Sequence, residues 1–370
     1  MQRFAVSAFV VVAIAASFAQ SRPPVAPPAA APAVQPQVTE AMPIVGAQPP
    51  VAGQVPAQPP AAPREPPSNQ QAGVSIDRFI GDASKSIGHL SHDVIFTQSI
   101  LRAGDPSAPG ADGSVLQYRK EIVLGTMAPG QTSSMTTMPE QQVIYVESGT
   151  GRIDDGSLVW DLKPGIMLLV PPDQPHRFLS TGDKPLKMLM LSYTLDPGIT
   201  PHKGLLVRDV SLILYTERNV HWSNFAKYVF DDRDGMHPSD RIYIVDMAPM
   251  TIAGPHAHVP NAEEAWVKVS DGDAVMQLGS EIRRWPANVG FLAPPNGQTV
   301  HAAINVSDSV QSWFYFARLN PNAQPRVPAD PNAPAGAAGG RGGRGGGRGA
   351  NPAVAESLVR STIAGRPLGR

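Results

Sequence analysis

"GFLAPPNGQTVH", residues Gly290–His301, is a second version of "GIMLLVPPDQPH", residues Gly165–His176. In each, a glycine opens an apolar run, a Pro-Pro pair ends it, and a histidine follows a polar turn. The two glycines are 125 residues apart, and so are the two histidines. Further matches lie on either side. "TMAPG" at Thr126–Gly130 answers "DMAPM" at Asp246–Met250, and "SHDVIF" at Ser91–Phe96 answers "VHWSNF" at Val220–Phe225. "LSTGD" at Leu179–Asp183 sits opposite "INVSD" at Ile304–Asp308. Units of this length point to a duplicated domain, because solenoid repeats are shorter.

Each unit is a series of short β-type runs separated by Pro, Gly, Asn and Asp. "QVIYV", "SLVWDL", "IMLLV" and "KMLMLSYTL" belong to the first, and "RIYIVDM", "AWVKV", "AVMQL" and "SWFYFARL" to the second. The pattern predicts an all-β sandwich or barrel, twice over. Helix is expected in "DRFIGDASKSI" at Asp77–Ile87, as a turn around Trp222–Tyr228, and as no more than one or two short turns in the last stretch, Asn351–Arg370. The domains are placed at residues 73–198 and 199–322.

The ends differ in composition from this core. Only 16% of the residues are charged, because many of the 40 prolines and 34 glycines are concentrated at the ends. Residues 1–19 read as a signal peptide, with Arg3 as its positive charge, Phe4–Ala16 as its apolar core and cleavage after Ala19. That apolar run is short of the roughly 20 residues a spanning helix needs. The expectation is a mature protein without a membrane span, periplasmic or secreted. With no cysteine, it has neither disulfides nor a lipid-modified cysteine. Residues 20–72, rich in Pro and Ala, read as a disordered linker. Residues 323–370, with "APAGAAGGRGGRGGGRG" at Ala333–Gly349, read as a disordered Gly/Arg-rich tail. The net charge of -1 gives no global field for nucleic acid, and the Arg-Gly tract lacks interleaved aromatics for stacking on bases. No nucleic-acid partner is expected.

The chemistry concentrates in the second unit. In "PHAHV", Pro255–Val259, a strand would project His256 and His258 to the same face. Glu263 and Glu264 follow, and alternation turns only one of them inward. His301 comes after a turn made by Pro294, Pro295, Asn296 and Gly297. Neutral imidazoles and a carboxylate suit a divalent first-row ion. Three histidines and one glutamate around a six-coordinate ion leave two positions for water or substrate, the layout of Lewis-acid or oxygen-activating chemistry.

These residues, in this order, resemble the two motifs of the cupin family, and the repeat resembles a bicupin. The first motif would be Gly254, His256, His258, Glu263 or Glu264, and Gly272; the second would be Pro295, Gly297, His301 and Asn305. Gly254 lies closer to its histidine than the family pattern has it, and one extra residue precedes His301. The resemblance implies two tandem cupin-type β-barrels of the double-stranded β-helix, or jelly-roll, kind. It implies one divalent metal ion per chain, Fe or Mn by preference, with Zn or Ni also compatible. Spacing from His258 favours Glu263 as the fourth ligand, and spacing back from Gly272 favours Glu264. The set carried forward is His256, His258, Glu264 and His301, with Glu263 as general base if it reaches the pocket.

The implied function is an exported metal-dependent bicupin enzyme acting on a small oxygenated molecule, of dioxygenase, decarboxylase, hydrolase or isomerase type. The alternative is a non-enzymatic cupin that binds a sugar or organic acid around a structural metal. Partners are then a small-molecule substrate and, where the chain self-associates, further copies in a homo-oligomer. Matching Gly149 to Gly272 puts the His256 and His258 positions among Thr132–Thr137, and the Glu264 position at Gln141. Only His176 survives, so the first unit is expected to be a barrel without a metal. Trp266 and Trp313 fit pocket lining or core, and Tyr243 and Gln277 lie on strands able to face the metal. Asp240 and Arg241 read as a surface pair or a pocket guard, Asn305 as a backbone anchor, and His92, paired with His221, as packing or a turn.

Overall fold

The computed structural model describes residues 75–216, 223–324 and 352–368. The signal-type start, the Pro/Ala-rich segment, His221, Trp222 and the Arg-Gly tract lie outside them. The described chain is almost entirely β, in four sheets that form two sandwiches with open edges.

In the first sandwich the large sheet runs in the order Leu206–Asp209, Ile166–Val170, Gln141–Ser148, Leu186–Tyr193, Glu121–Met127, Ile95–Ala103, His89–Ser91. It faces a four-stranded sheet of Arg177–Ser180, Gly151–Asp154, Leu158–Leu162 and Arg366–Pro367. In the second, the large sheet runs Ile80–Asp82, Val289–Leu292, Glu263–Lys268, Gln311–Arg318, Asp240–Met247, Asn224–Phe230. Its partner sheet is Thr251–Ile252, His301–Asn305, Ala274–Leu278, Glu281–Arg284.

The two large sheets are buried on both faces. One face fills its own sandwich: Ile144, Val146, Leu168, Val170, Met188 and Met190 pack with Ile153, Trp160, Leu162 and Phe178. The other face meets the other half, so Val143, Leu189 and Leu191 share a cluster with Ile242, Ile244, Ala265, Val267, Phe314 and Phe316. This explains why "IMLLV" is apolar throughout instead of alternating: every residue from Ile166 to Val170 is buried. Two buried arginines cross the same interface. Arg119 pairs with Asp240 at 2.5 Å and lies 4.1 Å over Tyr193 and 4.0 Å over Phe316. Arg318 pairs with both Asp240 and Asp196.

The halves also exchange strands. Ile80–Asp82, at the start of the first half, pairs with Val289–Leu292 of the second. Leu206–Asp209, at the start of the second, pairs with Ile166–Val170 of the first. A boundary at 198/199 therefore divides the chain but not its sheets.

Three local expectations need correction. Asp77–Ile87 is not one helix: two short 3-10 turns, Ile76–Phe79 and Ala83–Lys85, flank the exchanged strand. Sheet pairing prevails there over a weak helical pattern. Asn224–Phe230 is an edge strand and not a turn. The last stretch, placed within a disordered tail with at most one or two short helical turns, forms a helix of nearly three turns at Pro352–Ser361 and a strand at Arg366–Pro367. Proline suits the first turn of the helix, where its missing N–H costs nothing. Leu358 is buried, Trp160 Nε1 donates to Ile363 O at 3.0 Å, and Arg366 pairs with Asp161. These contacts come from residues too far apart in the chain to register as a local pattern.

Candidate metal centre

The "PHAHV" segment is extended but is not a continuous strand. Pro255 and Pro260 withhold ladder donors, and only His256 forms a bridge, exchanging backbone hydrogen bonds with His301. That single bridge is enough to aim the rings. The His256 ring centroid lies 4.3 Å from His301 and 4.8 Å from His258. Gly297, at φ 73, turns the chain ahead of His301; a Cβ there would sit 3.0 Å from Pro260, in the loop that carries His258. Asn305 anchors the far end of the His301 strand by donating to the carbonyls of Met247, Ala248 and Ser309.

Strand Glu263–Lys268 settles which glutamate turns inward. Glu264 and Trp266 face the sandwich interior. His301 Nε2 lies 3.2 Å from Glu264 Oε1, His258 Nε2 contacts Glu264 Oε2, and His256 Nε2 is 3.2 Å from His258 Nε2. One donor atom from each of His256, His258, Glu264 and His301 lies within 4.8 Å of all the others. Bonds of about 2.1 Å around one ion place neighbouring donors about 3 Å apart and opposite ones about 4 Å apart, so the four residues fit a single divalent ion. His256 Nδ1 donates to Gly254 O at 2.9 Å, which leaves its Nε2 lone pair for a metal.

Electrostatics agree. Burial lowers the pKa of His256 and takes that of His258 down to about 4. Burial pushes the Glu264 carboxyl up, but His301 and His258 outweigh it and hold it at about 2. At neutral pH His256 and His258 are therefore neutral beside the Glu264 carboxylate, the protonation state a metal requires.

Side chains around the centre support Glu264, among them Trp266, which the sequence left between pocket lining and core, and Tyr315, which it did not single out. Trp266 Nε1 donates to its Oε1 at 2.6 Å, and the Tyr315 hydroxyl also bonds it. Tyr228, Tyr243, Tyr315, Trp266 and Phe291 are register neighbours in one row across the sheet. Tyr243 thus faces the site side. Gln277 turns outward, its Nε2 donating to Gly279 O. Trp313 points inward, and its Nε1 has no partner. Tyr243 was named from the sequence; Tyr228 and Tyr315 could have been found by alternation once Glu264 was fixed as inward.

Glu263 does not reach the centre, which corrects its reading as a general base. Alternation sends it to the opposite face of the strand, where it accepts hydrogen bonds from the backbone N–H of Gln117 and Tyr118. Burial raises its pKa, against Arg119 and these two donors. Glu263 joins the two halves.

The first sandwich holds a different arrangement. Thr136 bridges His176 as His256 bridges His301. Strand Gln141–Ser148 stands where Glu263–Lys268 stands, with Gln142 opposite Ser192 as Glu264 is opposite Ala317. The counterpart of Glu264 is therefore Gln142, and Gln141 is that of Glu263: it donates to Tyr193 OH on the interface side. His176 Nε2 meets His92 Nε2 at 3.0 Å. His176 Nδ1–H donates to Gln174 O, so its Nε2 accepts from His92, whose Nδ1 is 2.8 Å from Ser91 Oγ. His92 is thus a partner to the surviving histidine as well as packing. Among the described residues, His256, His258, Glu264 and His301 are the only group of three or more such side chains close enough to share an ion.

Residues 123–192 match the cupin domain family. The match lies in the half that does not contain the cluster of His256, His258, Glu264 and His301. No curated protein sequence matches the chain. Among solved structures, a putative glyoxylate-induced protein from Pseudomonas aeruginosa aligns with a TM-score of 0.51 and 16% identity, over 67% of this chain and 90% of that one. AerE from Microcystis aeruginosa aligns at 0.50 and 13%, over 66% of this chain and 100% of that one. An oxalate decarboxylase from Lactobacillus farciminis aligns at 0.49 and 13%, over 69% and 89%. At these identities the likeness is one of fold.

Proposed function

We propose that this chain, which belongs to the cupin superfamily, is an exported metal-dependent enzyme acting on a small oxygenated molecule through a single centre in its second half. The observation that carries the reading is the convergence of three imidazoles and one carboxylate within 4.8 Å. His256, His258, His301 and Glu264 would hold the ion, and Fe or Mn suits this donor set. When bound, the ion supplies Lewis-acid polarisation or oxygen activation. Trp266 and Tyr315 fix the carboxylate, while Glu264 and His301 are only 1% exposed, which keeps bulk water from their side of the site. His256 and His258 are both partly exposed, and mark the side from which a substrate would enter. Export is supported by the signal-type start. No helix among the described residues is long and apolar enough to cross a membrane.

Elemental analysis of the purified protein beside His256→Ala and His301→Ala tests the centre. The expected result is about one Fe or Mn per chain, lost in both variants. Absence of metal from the unaltered protein after reconstitution would refute it.

A further inference from the structure

The first sandwich has a pocket of its own. It measures about 370 Å³ up to its open mouth, and its wall includes Glu121, Gln142 and Ser192 with Val123 and Met190 beside them. The three polar residues form one cross-strand row: register places Gln142 opposite Ser192, and Ser192 opposite Glu121. The matching row of the second half is Glu264, Ala317 and Arg241. The pattern of charge is thus inverted. Where the second half has the carboxylate of the metal centre, the first has a neutral amide. Where the second has Arg241, tied to Pro238 O and Asp232, the first has a carboxylate.

This row is rich in acceptors and short of donors. Gln142 and Ser192 are only 4% and 7% exposed, yet Gln142 Oε1 and Ser192 Oγ have no hydrogen-bond partner. Buried polar atoms in that state are costly. Glu121 is half-buried, and its carboxylate has no hydrogen-bond or ion-pair partner among the described residues. Lys120 lines the same pocket, but its ammonium is taken by Glu140 at 2.5 Å. The wall therefore keeps one uncompensated negative charge, that of Glu121. Neighbouring strands stand about 4.8 Å apart, so one small group can reach all three acceptors. An alkylammonium has three N–H donors, one for each.

We propose that this pocket binds a small primary alkylammonium, which donates to the Glu121 carboxylate, Gln142 Oε1 and Ser192 Oγ while its carbon chain rests on Val123 and Met190. The site is separate from the metal centre, and the proposal does not rest on the metal reading. A protonated amine suits the row better than a polyol, because hydroxyl groups would leave the charge of Glu121 unpaired.

The test is a saturation-transfer NMR titration of the chelator-treated full chain with 2-hydroxyethylammonium, beside ethylene glycol, which carries a hydroxyl in place of the ammonium. The ammonium is expected to bind at least about tenfold more tightly, as a charge-assisted pair would give. Glu121→Gln should remove that preference, and Gln142→Leu should weaken ammonium binding about two- to tenfold. Asp183→Asn, which removes an exposed acid outside the pocket, should keep the preference whole. Thermal unfolding shows that each variant is folded. Equal binding of the two probes, or binding of neither, by the unaltered protein would overturn the proposal without any variant. So would a preference that survives in folded Glu121→Gln. Adding Mn(II) should change nothing; a preference that appears only with the metal present would overturn the proposal, since the probe would then report on the metal centre.

Discussion

Glu263 and Glu264 are adjacent, identical in type and both nearly inaccessible, yet their loss should have separable effects. Glu263→Ala leaves the N–H groups of Gln117 and Tyr118 without their acceptor. Both are part-buried, so about 1–2 kcal/mol each is reasonable, about 2–4 kcal/mol in all. For a domain pair of this size, that lowers Tm by about 5–15 °C. Metal content should not change, because the carboxylate lies on the face away from the histidines. Glu264→Gln should do the reverse. It removes a ligand and abolishes stoichiometric metal, while an amide oxygen can still accept from Trp266 Nε1. Thermal unfolding must be followed on chelator-treated protein, so that metal binding does not itself raise Tm. Elemental analysis is run separately. Loss of metal from Glu263→Ala at unchanged Tm, or full metal retention by Glu264→Gln, would refute the assignment of the two faces.

Trp266→Phe removes the 2.6 Å hydrogen bond to Glu264 and keeps the ring in the row between Tyr315 and Phe291; metal affinity should weaken about 10- to 100-fold in competition with a chelator, and unchanged affinity would show the bond to be incidental. Burial, with His176 adding to it, takes the pKa of His92 down to about 4 from 6.5, so the unfolded chain binds this proton before the folded one does. The stability it confers is complete above about pH 6.5 and is lost as pH falls toward 4, at up to about 1.4 kcal/mol per pH unit. Urea unfolding of the metal-free protein across that window should show a shallower slope in His92→Gln, and equal slopes would contradict the buried pair.

The repeat, the two-sheet halves and the convergence of His256, His258 and His301 were legible because each rests on local spacing: His-x-His, the Pro-Pro turn, and the apolar runs between turn residues. What was not legible depends on where strands begin and what lies across from them. Glu263 and Glu264 could be told apart only once the strand was known to start at Glu263, since a slip of one residue reverses every face. The same slip put Gln141 in the place that Gln142 occupies. The partnership of His92 with His176 spans 84 positions, and the use of Arg119 by the other half is equally nonlocal. The full C-terminal helix was not legible beyond a turn or two because its stability comes from packing on Leu206–Asp209 and the turn Val210–Leu212, not from a strong pattern of its own.

The exchanged strands bear on how the chain is made. Ile80–Asp82 is among the first of the described strands to leave the ribosome, and its partner, Val289–Leu292, is among the last. The edge of the second sheet therefore cannot close until Val289–Leu292 has been made, and the first half must wait in turn for Leu206–Asp209 before its own sheet is finished. Pairing over such separations slows folding and leaves strand edges open in the meantime. A nascent first half would be a client for chaperones, and a transcript cut between the repeats would yield two incomplete products instead of two small domains.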